Sequence, residues 1–352
     1  MPETKTGVVV DERYLRHGEG FYHPESPRRL ESVYAMLNRP EMAGRYVSIP
    51  PRYASHEEIG LVHSRTYISL IAGTAGKSCY SLDPDTQTSP DSYDTAKLAV
   101  GGFLNAVDAV MTGEVANAFA FVRPPGHHAG RDRAAGFCLF NNVAIGARYA
   151  LAKYGLQRIL IVDWDLHHGD GTQDIFYRDR KVLYFSVHQY PAYPGTGALT
   201  ETGQGEGQGY TVNVPLKART DDALYVKTFS SILKPVAMKF RPELILLSAG
   251  FDTYFQDPLG DMRVTPKGYV YMTRILLDIA AACCEGRLAA VLEGGYHVEG
   301  LTESVQAVLR EMGGETHVGD DDLYRMEYEA DQGKDQILRR VADQLNPVWQ
   351  VF

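Results

Sequence analysis

The stretch that decides the fold has the sequence RILIVDWDLHHGDGT and runs from Arg158 to Thr172. Its first part, Arg158–Asp163, is a short apolar run of the kind that forms a strand buried on both faces of a sheet. Polar, glycine-containing sequence follows at once. Because loops at the carboxyl ends of parallel strands collect functional groups, we expect chemistry at this junction.

Outward from this segment, further apolar runs alternate with helical patterns. The runs are Gly7–Val10, Ala118–Val122, Val182–Val187, Leu244–Ser248 and Ala289–Glu293. The helical patterns are Pro27–Leu37, Tyr93–Thr112, Asn142–Tyr154, Asp221–Phe240, Pro266–Glu285 and Glu299–Met312. The alternation predicts an α/β fold with a mainly parallel sheet and helices on both faces. We interpret residues 1–352 as a single domain in which 315–352 is a peripheral C-terminal segment with one or two helices.

The composition excludes some classes of function. The 352 residues include 35 Lys and Arg against 44 Asp and Glu, a net charge of −9, which argues against a protein that tracks nucleic-acid phosphates. We find neither a secretory leader pattern nor a run of the roughly 20 apolar residues that a membrane helix requires. The four cysteines lack CxxC spacing and are interpreted as reduced thiols. We therefore expect a cytoplasmic protein without nucleic-acid or membrane partners, and leave a homo-oligomer open.

Two apolar runs lead into candidate metal ligands. Asp165 and His167 are two residues apart, and on a strand such residues point the same way and can converge on one ion. Asp252, in the sequence SAGFD after Leu244–Ser248, is a third candidate, although an aspartate at a strand end is often a helix cap. Oxygen and nitrogen ligands suit zinc or a similar divalent metal, and three protein ligands leave a position open for water and substrate.

A pair of histidines lies in the proline- and glycine-rich sequence RPPGHHAG. His127 and His128 are candidates for general acid and base work because imidazole titrates near neutrality; a purely structural loop is the alternative. Asp163 and Asp170 are candidates to orient imidazoles, as carboxylates behind a metal site do. We interpret His168 as a structural histidine.

The last motif is LEGGY, which follows Ala289–Glu293. Its glycines allow the backbone to approach a cavity closely. The hydroxyl of Tyr296 is a candidate donor to the oxyanion of a tetrahedral intermediate. Taken alone, a tyrosine at this position is more often a core-packing residue than a catalytic one.

Together and in this order, RPPGHHAG, DWDLHHGDGTQ, AGFD with DPLG, and LEGGY resemble the zinc-dependent histone deacetylase superfamily. That superfamily includes bacterial deacetylase-like amidohydrolases, acetoin-utilisation proteins and acetylpolyamine amidohydrolases. The resemblance runs from about Tyr14 to Met312, and DWD, GTQDIFY, SAGFD and LEGGY are nearer to its class II branch. It implies an arginase/deacetylase fold with about eight strands. It also implies zinc-dependent hydrolysis of an N-acyl substrate, such as N6-acetyl-lysine, to acetate and a free amine.

The resemblance also implies roles for individual residues. The zinc ligands would be Asp165, His167 and Asp252, and the catalytic group would be His127, His128, Tyr296, Asp163 and Asp170, with Asp163 and Asp170 as the respective carboxylate partners of the two histidines. Many class II relatives carry asparagine at the Asp170 position. Aspartate here is expected to raise the basicity of His128 or to keep it charged.

Two further sets of residues rest on the resemblance alone. The walls of a tunnel for the acyl-lysine stem would be Gly136, Phe137 and Tyr193, with Leu259 at its mouth. Structural potassium would lie near Asp163, Asp165, His167, Ser186 and Val187, and a second potassium ion near Phe176, Asp179, Val182 and Tyr210.

Three alternatives compete with an acyl-lysine hydrolase. An acetylpolyamine amidohydrolase tends to have a long insertion before the counterpart of Tyr93 and can have an acidic gatekeeper, whereas here the interval from Tyr67 is short and the gatekeeper is Leu259. An acyl-lysine-binding module without turnover would be expected to lose a metal ligand or the tyrosine. An arginase-like dimetal enzyme would need a DxHxD pattern, from which DLHHGD departs.

Overall fold

A computed structural model describes residues 5–315, 318–319, 321–322, 325–326 and 336–352. Its main sheet has eight strands in the order β2-β1-β5-β10-β9-β6-β7-β8, and every neighbouring pair is parallel. The strands are β1 Thr6–Val9, β2 Tyr46–Ser48, β3 Tyr80–Ser81, β4 Gln87–Thr88, β5 Asn117–Ala120, β6 Ile159–Asp163, β7 Val182–Gln189, β8 Thr211–Leu216, β9 Leu244–Ala249 and β10 Leu288–Leu292. The pair β3 and β4 forms a separate antiparallel hairpin.

Helices surround the sheet and complete the α/β architecture. They are α1 Arg28–Leu37, α2 His56–Ile59, α3 Arg65–Ala72, α4 Ser92–Met111, α5 Asn142–Tyr154, α6 Asp170–Phe176, α7 Asp222–Thr228, α8 Lys234–Phe240, α9 Pro266–Cys284, α10 Val298–Met312 and α11 Ile337–Trp349. Short 3₁₀ segments cover Glu12–Arg16, Pro40–Met42 and Gly205–Gly207, and a π turn, Phe229–Leu233, joins α7 to α8. Within the described ranges, none of these helices has both the length and the apolar character needed to cross a bilayer.

The predicted fold class is confirmed, and its six predicted strands all belong to the main sheet. The two strands that the apolar runs did not predict, β2 and β8, are its edges. In β2 the side chains are partly or fully exposed, and in β8 the apolar run is interrupted by Asn213 and Pro215. Hydrophobic periodicity therefore detects the central strands, which are buried on both faces, and misses the edges.

The C-terminal segment is more closely joined to the fold than its polar composition indicated. Helix α11 packs along the edge strand β8, and Trp349 packs on the rings of Tyr210 and Phe240. The indole Nε1 of Trp349 also donates to the carbonyl of Gly209 at 2.8 Å. Part of the predicted segment, including 327–335, lies outside the described residues.

The strand order explains how the four motifs meet. Strands β5, β10, β9 and β6 are consecutive neighbours in the sheet, and each leads at its carboxyl end into one motif. Their register aligns Asp163 with Ser248 and Ser248 with Val291. The motifs therefore converge at one edge of the sheet, although they are far apart in the sequence.

Candidate active site

The three candidate metal ligands lie together. Ligand atoms of Asp165, His167 and Asp252 are all within 4.8 Å of one another. His167 Nδ1 is 3.2 Å from Asp165 Oδ1 and 3.0 Å from Asp252 Oδ2. The expected reason for this convergence was wrong, because β6 ends at Asp163. A bend after the strand, not the two-residue repeat of a strand, brings Asp165 and His167 together.

Backbone amides orient both carboxylates of this cluster. Leu166 N donates to Asp252 Oδ1 and Gly294 N donates to Asp165 Oδ2, each at 2.8 Å. The other oxygen of each carboxylate is left facing His167. A Cβ on Gly294 would collide with both carboxylates, so the close backbone approach requires glycine at this position.

The donor set fits a divalent cation. Burial and the neighbouring Asp165 charge raise the pKa of Asp252 to about 7. Burial opposes protonation of His167, but the hydrogen-bonded carboxylates of Asp165 and Asp252 outweigh it and raise the pKa of His167 to about 10. Asp252 and His167 thus hold protons that a cation would displace. Against the effect of burial, the neighbouring His127 and His167 lower the pKa of Asp165 and keep it ionised. One imidazole nitrogen and two carboxylate oxygens are the ligands that zinc prefers.

The histidine pair lies beside this cluster. His127 Nδ1 is 3.1 Å from Asp163 Oδ2, and His128 Nδ1 is 2.8 Å from Asp170 Oδ1. The two imidazole centroids are 4.0 Å apart. The ring of His128 is 6.0 Å from that of His167, and His127 Nε2 is 3.8 Å from Asp165 Oδ1, so both histidines adjoin the candidate metal ligands.

The two histidines differ in protonation. Burial lowers the pKa of His127, but the charges of Asp165 and Asp163 outweigh burial and raise that pKa well above its ordinary value. Burial and the positive charge of His127 lower the pKa of His128 to about 3. Asp170 raises the pKa of His128, as expected, but it does not keep His128 charged, since burial and the charge of His127 together outweigh it.

Tyr296 follows Gly294 and Gly295 in the irregular connection between β10 and α10, called the turn below, and Gly295 has a φ of 117°. Arg29 holds the carbonyl side of this turn, donating to the carbonyls of Gly295 at 2.6 Å and Glu293 at 2.5 Å. The guanidinium also lies 5.0 Å from the Tyr296 ring centroid. Among the described residues, the Tyr296 hydroxyl has no hydrogen-bond partner, so it is available to a ligand.

Aromatic rings flank the approach to the histidines. The ring of Tyr193 is 5.1 Å from that of His128, and the ring of Phe137 is 5.9 Å from that of Tyr296. Phe137 has a positive φ of 69°, a conformation that a bulky residue adopts only when its surroundings impose it. A Cβ on Gly136 would collide with the His128 ring. Leu259 is 39% exposed, as a residue at a mouth would be.

A family model described as the histone deacetylase domain matches residues 23–312. The chain belongs to the histone deacetylase family. This membership assigns it to the hydrolases that act on amide bonds. The structure of an HDA15 HD domain superposes with a TM-score of 0.89 at 37% identity, covering 99% of this chain and 96% of that one.

Several histone deacetylase relatives are similar in sequence. A probable deacetylase of Archaeoglobus fulgidus is 45% identical over 84% of this chain and 82% of its own length. Histone deacetylase HDA1 of Candida albicans is 42% identical over 88% of this chain, and polyamine deacetylase HDAC10 of Mus musculus is 45% identical over 80% of it. The matched regions are 41% and 43% of those two longer proteins.

Within this histone deacetylase domain, Glu293 was missed by the sequence analysis. Its Oε2 accepts from the amides of Gly126 at 2.6 Å and His127 at 3.2 Å, and its Oε1 accepts from Ser248 Oγ at 2.9 Å. Glu293, His127 and Cys138 also form a compact group of possible ligands. The carboxylate is already committed to these donors, so we assign Glu293 to holding the histidine loop. The signal was present in LEGGY as an acidic residue at the end of an apolar strand.

Arg133 is a second residue that the motifs did not reveal. Its Nη2 donates to Asp170 Oδ2 at 2.6 Å, while Oδ1 of the same carboxylate faces His128. The Asp170 charge is therefore shared between an imidazole and a guanidinium, which reduces its effect on His128.

The remaining predicted residues lie behind the site. Asp163 and Ser186 are partners on adjacent strands, and Ser186 Oγ is 2.9 Å from His188 Nδ1. In the second set assigned to potassium, the Asp179 carboxylate pairs with Arg148 at 2.5 Å. His168 contacts hydroxyl and amide groups at 2.8 and 3.0 Å, which is the environment of a structural histidine.

Proposed function

We propose that this chain is a zinc-dependent hydrolase that removes acyl groups, chiefly acetyl, from the side-chain amine of lysine. One observation carries the proposal. The neutral His128 lies between its carboxylate partner and the Asp165, His167 and Asp252 cluster, with the ring of Tyr193 against it. That arrangement combines a base, a cation site and an apolar wall in one place.

Asp165, His167 and Asp252 would hold the zinc ion. When bound, the ion supplies Lewis-acid chemistry to the amide carbonyl and to water. Its three ligands are fixed before binding, because backbone amides and neighbouring charges already orient their donor atoms.

His128 takes the proton of the attacking water. Burial and the charge of His127 lower the pKa of His128, so it is unprotonated and its free nitrogen can accept a proton. His127, held charged between Asp163 and Asp165, contributes positive charge where the carbonyl oxygen becomes negative. The proton that His128 accepts is then available to the leaving amine, which completes hydrolysis to a carboxylate and a free amine.

Tyr296 donates a hydrogen bond to the developing oxyanion. Burial raises the pKa of Tyr296 well above its ordinary value, so the hydroxyl keeps its proton. A donor of this kind is worth about 3–4 kcal/mol in the transition state. The position of the turn beside Asp165, set by Gly294, supports this role.

The substrate stem would pass between Phe137 and Tyr193, with Leu259 at the mouth. Apolar ring faces suit the methylene chain of lysine. The names of the archaeal and Candida relatives, probable deacetylase and histone deacetylase, support an acetyl group and a lysine side chain.

The test is hydrolysis of three substrates, namely an acetyl-lysine peptide, a trifluoroacetyl-lysine peptide and acetylated polyamines. Each is assayed as prepared, after chelation, and after addition of zinc. We expect turnover of the lysine peptides that chelation abolishes and zinc restores. Zinc binding without turnover on any substrate would contradict the proposal and favour an acyl-lysine-binding module.

A polyamine substrate is the second candidate, and one observation favours it. The mouse and human relatives at 45% identity carry the name polyamine deacetylase. Against it, the residue at the mouth is the apolar Leu259, which offers no charge to a polyamine. Turnover confined to the acetylated polyamines would select this second function.

Further parts of the proposal rest on the family and the sequence. We infer that residues 1–352 form a single catalytic domain in the cytoplasm, without nucleic-acid or membrane partners. Structural potassium would bind near Ser186 and near Tyr210. Metal analysis by mass spectrometry and size-exclusion chromatography with light scattering test the ions and the oligomeric state.

A further inference from the structure

The motif DPLG, Asp257–Gly260, contains a carboxylate that the mechanism above does not use. Asp257 is buried, with 6% exposure. Its Oδ2 accepts from the amides of Tyr296 at 2.7 Å and His297 at 3.0 Å. Its Oδ1 accepts from the amide of Leu259 at 3.0 Å. One side chain therefore joins the tunnel mouth to the turn that carries the tyrosine.

We infer that Asp257 is the positioning residue of Tyr296, fixing the distance between the oxyanion donor and the mouth residue Leu259. The inference rests on the proposed function and adds a residue to it. Asp257 acts through the backbone of Tyr296 and not on the substrate itself.

The turn is held from two sides by opposite charges. Arg29 binds its carbonyl side at Gly295, and Asp257 binds its amide side at Tyr296 and His297. Arg29 cannot do the work of Asp257, because a guanidinium has only donors and a backbone amide needs an acceptor. Removal of Asp257 leaves the backbone amides of Tyr296 and His297 without their acceptor, so the tyrosine is held less firmly than the carbonyl side that Arg29 binds.

The loop that carries Asp257 is itself anchored. Tyr254 forms a bridge with Val264, and the Tyr254 ring stacks on His297 at 5.3 Å. The Asp257 amide donates to the Tyr254 carbonyl at 2.9 Å. The carboxylate is thus presented from a fixed backbone, as a positioning residue requires.

Three donors on two oxygens explain why the residue is aspartate. Asparagine has a single acceptor oxygen, and its amide nitrogen would face a backbone N–H. Asp257→Asn therefore breaks either the Leu259 bond or the pair of bonds to Tyr296 and His297. A displacement of about 1 Å in a group that orients the reaction costs on the order of 100-fold in rate.

A double-mutant cycle tests the inference. Wild type, Asp257→Asn, Tyr296→Phe and the double variant are assayed for kcat and KM with the acetyl-lysine peptide, and for zinc content. We expect Asp257→Asn to lower kcat by about 10- to 100-fold while KM changes far less. In the Tyr296→Phe background the same change should lower kcat by less than about threefold, because two residues that act through one group are not additive.

Asp222→Asn is the matched control. The Asp222 carboxylate also fixes backbone, accepting from Thr265 N at 2.8 Å and Thr265 Oγ1 at 2.6 Å, at the start of α9. It should change the melting temperature without lowering kcat. Should Asp257→Asn be recovered unfolded, Asp257→Glu takes its place in the cycle, since it keeps the charge and moves the oxygens by one methylene.

Two results would overturn the inference, namely equal losses of kcat in both backgrounds and no loss in either. A wild-type protein that binds zinc and hydrolyses none of the substrates is a different failure. That result refutes the proposed function in the wild-type control, and the inference about Asp257, which rests on that function, is refuted as well.

Discussion

Replacement of Glu293 should separate the geometry of the histidine loop from its charge. Glu293→Ala removes the acceptor of the Gly126 and His127 amides and of the Ser248 hydroxyl. The hydroxyl can rotate about its Cβ–Oγ bond, whereas the two buried amides are fixed by the backbone. Each orphaned donor costs about 1–3 kcal/mol, so we expect a loss of roughly 4 kcal/mol in the free energy of unfolding.

Glu293→Gln is the matched variant. The glutamine carbonyl can accept from both amides, and its NH₂ group can donate to Ser248 Oγ. At about pH 5, where burial keeps the wild-type carboxyl largely protonated, we expect a change of less than about 1 kcal/mol in the free energy of unfolding. Urea unfolding of both variants, followed by circular dichroism with the slopes compared, provides the measurement. A glutamine variant as unstable as the alanine variant would refute the assignment of Glu293 to holding the loop through hydrogen bonds.

The pH dependence of the glutamine variant adds a second check. Burial raises the pKa of Glu293 from 4.5 to about 7. A carboxyl with a raised pKa contributes stability that is fully present below the unfolded value and is lost as the pH rises through the folded value. Between about pH 5 and pH 8, wild type should therefore lose stability relative to Glu293→Gln. A difference that does not change with pH would contradict the raised pKa.

Three further predictions concern the metal ion, the proposed base His128 and the residue at the tunnel mouth, Leu259. Chelation should lower the melting temperature, because removal of the cation takes away the counter-charge of the buried carboxylates of Asp165 and Asp252. Addition of zinc should restore it. An unchanged melting curve would exclude a cation at this cluster. His128→Asn should lower kcat by about 10²- to 10⁴-fold. The control His168→Gln, once its folding is verified, should keep a kcat near that of wild type. Equal losses of kcat in the two variants would contradict the assignment of His128 as the base. Leu259→Glu should raise the ratio of kcat/KM for acetylated polyamines to kcat/KM for the lysine peptide by at least about tenfold, which corresponds to about 1.4 kcal/mol. An unchanged ratio would show that Leu259 does not set the substrate class.

The central part of the fold could be predicted because its signal is local. Strands β5, β6, β9 and β10 lie in largely apolar runs, and each run leads into its motif within a few residues. The edge strand β8 has no such signal, since its burial depends on α11, more than a hundred residues further along the chain. The neighbour that covers an edge is a property of the tertiary structure and cannot be inferred from periodicity.

The difference between local and long-range signals also separates the predicted from the unpredicted parts of the site. Asp165 and His167 are two residues apart, so their shared role is visible in the sequence. Glu293 acts on Gly126, 167 positions away, and Asp257 acts on Tyr296, 39 positions away. Residues that hold backbone in place have no characteristic spacing, because their partners are amides that every residue possesses.

The balance of buried charge indicates why the site needs an ion. Asp163, Asp165 and Asp252 are fully or almost fully buried, and the nearby positive charge comes from His127 and His167. Both imidazoles have raised pKa values, so without a cation they titrate as counter-ions to the carboxylates. A zinc ligand must be a neutral imidazole, and metal binding at His167 therefore releases a proton. The ion would then replace that proton with two positive charges at the same place, and the pKa of Asp252 should fall from about 7 towards its ordinary value. Zinc affinity should consequently decrease as the pH is lowered through the neutral range, and isothermal titration in buffers of different ionisation enthalpy would count the protons released.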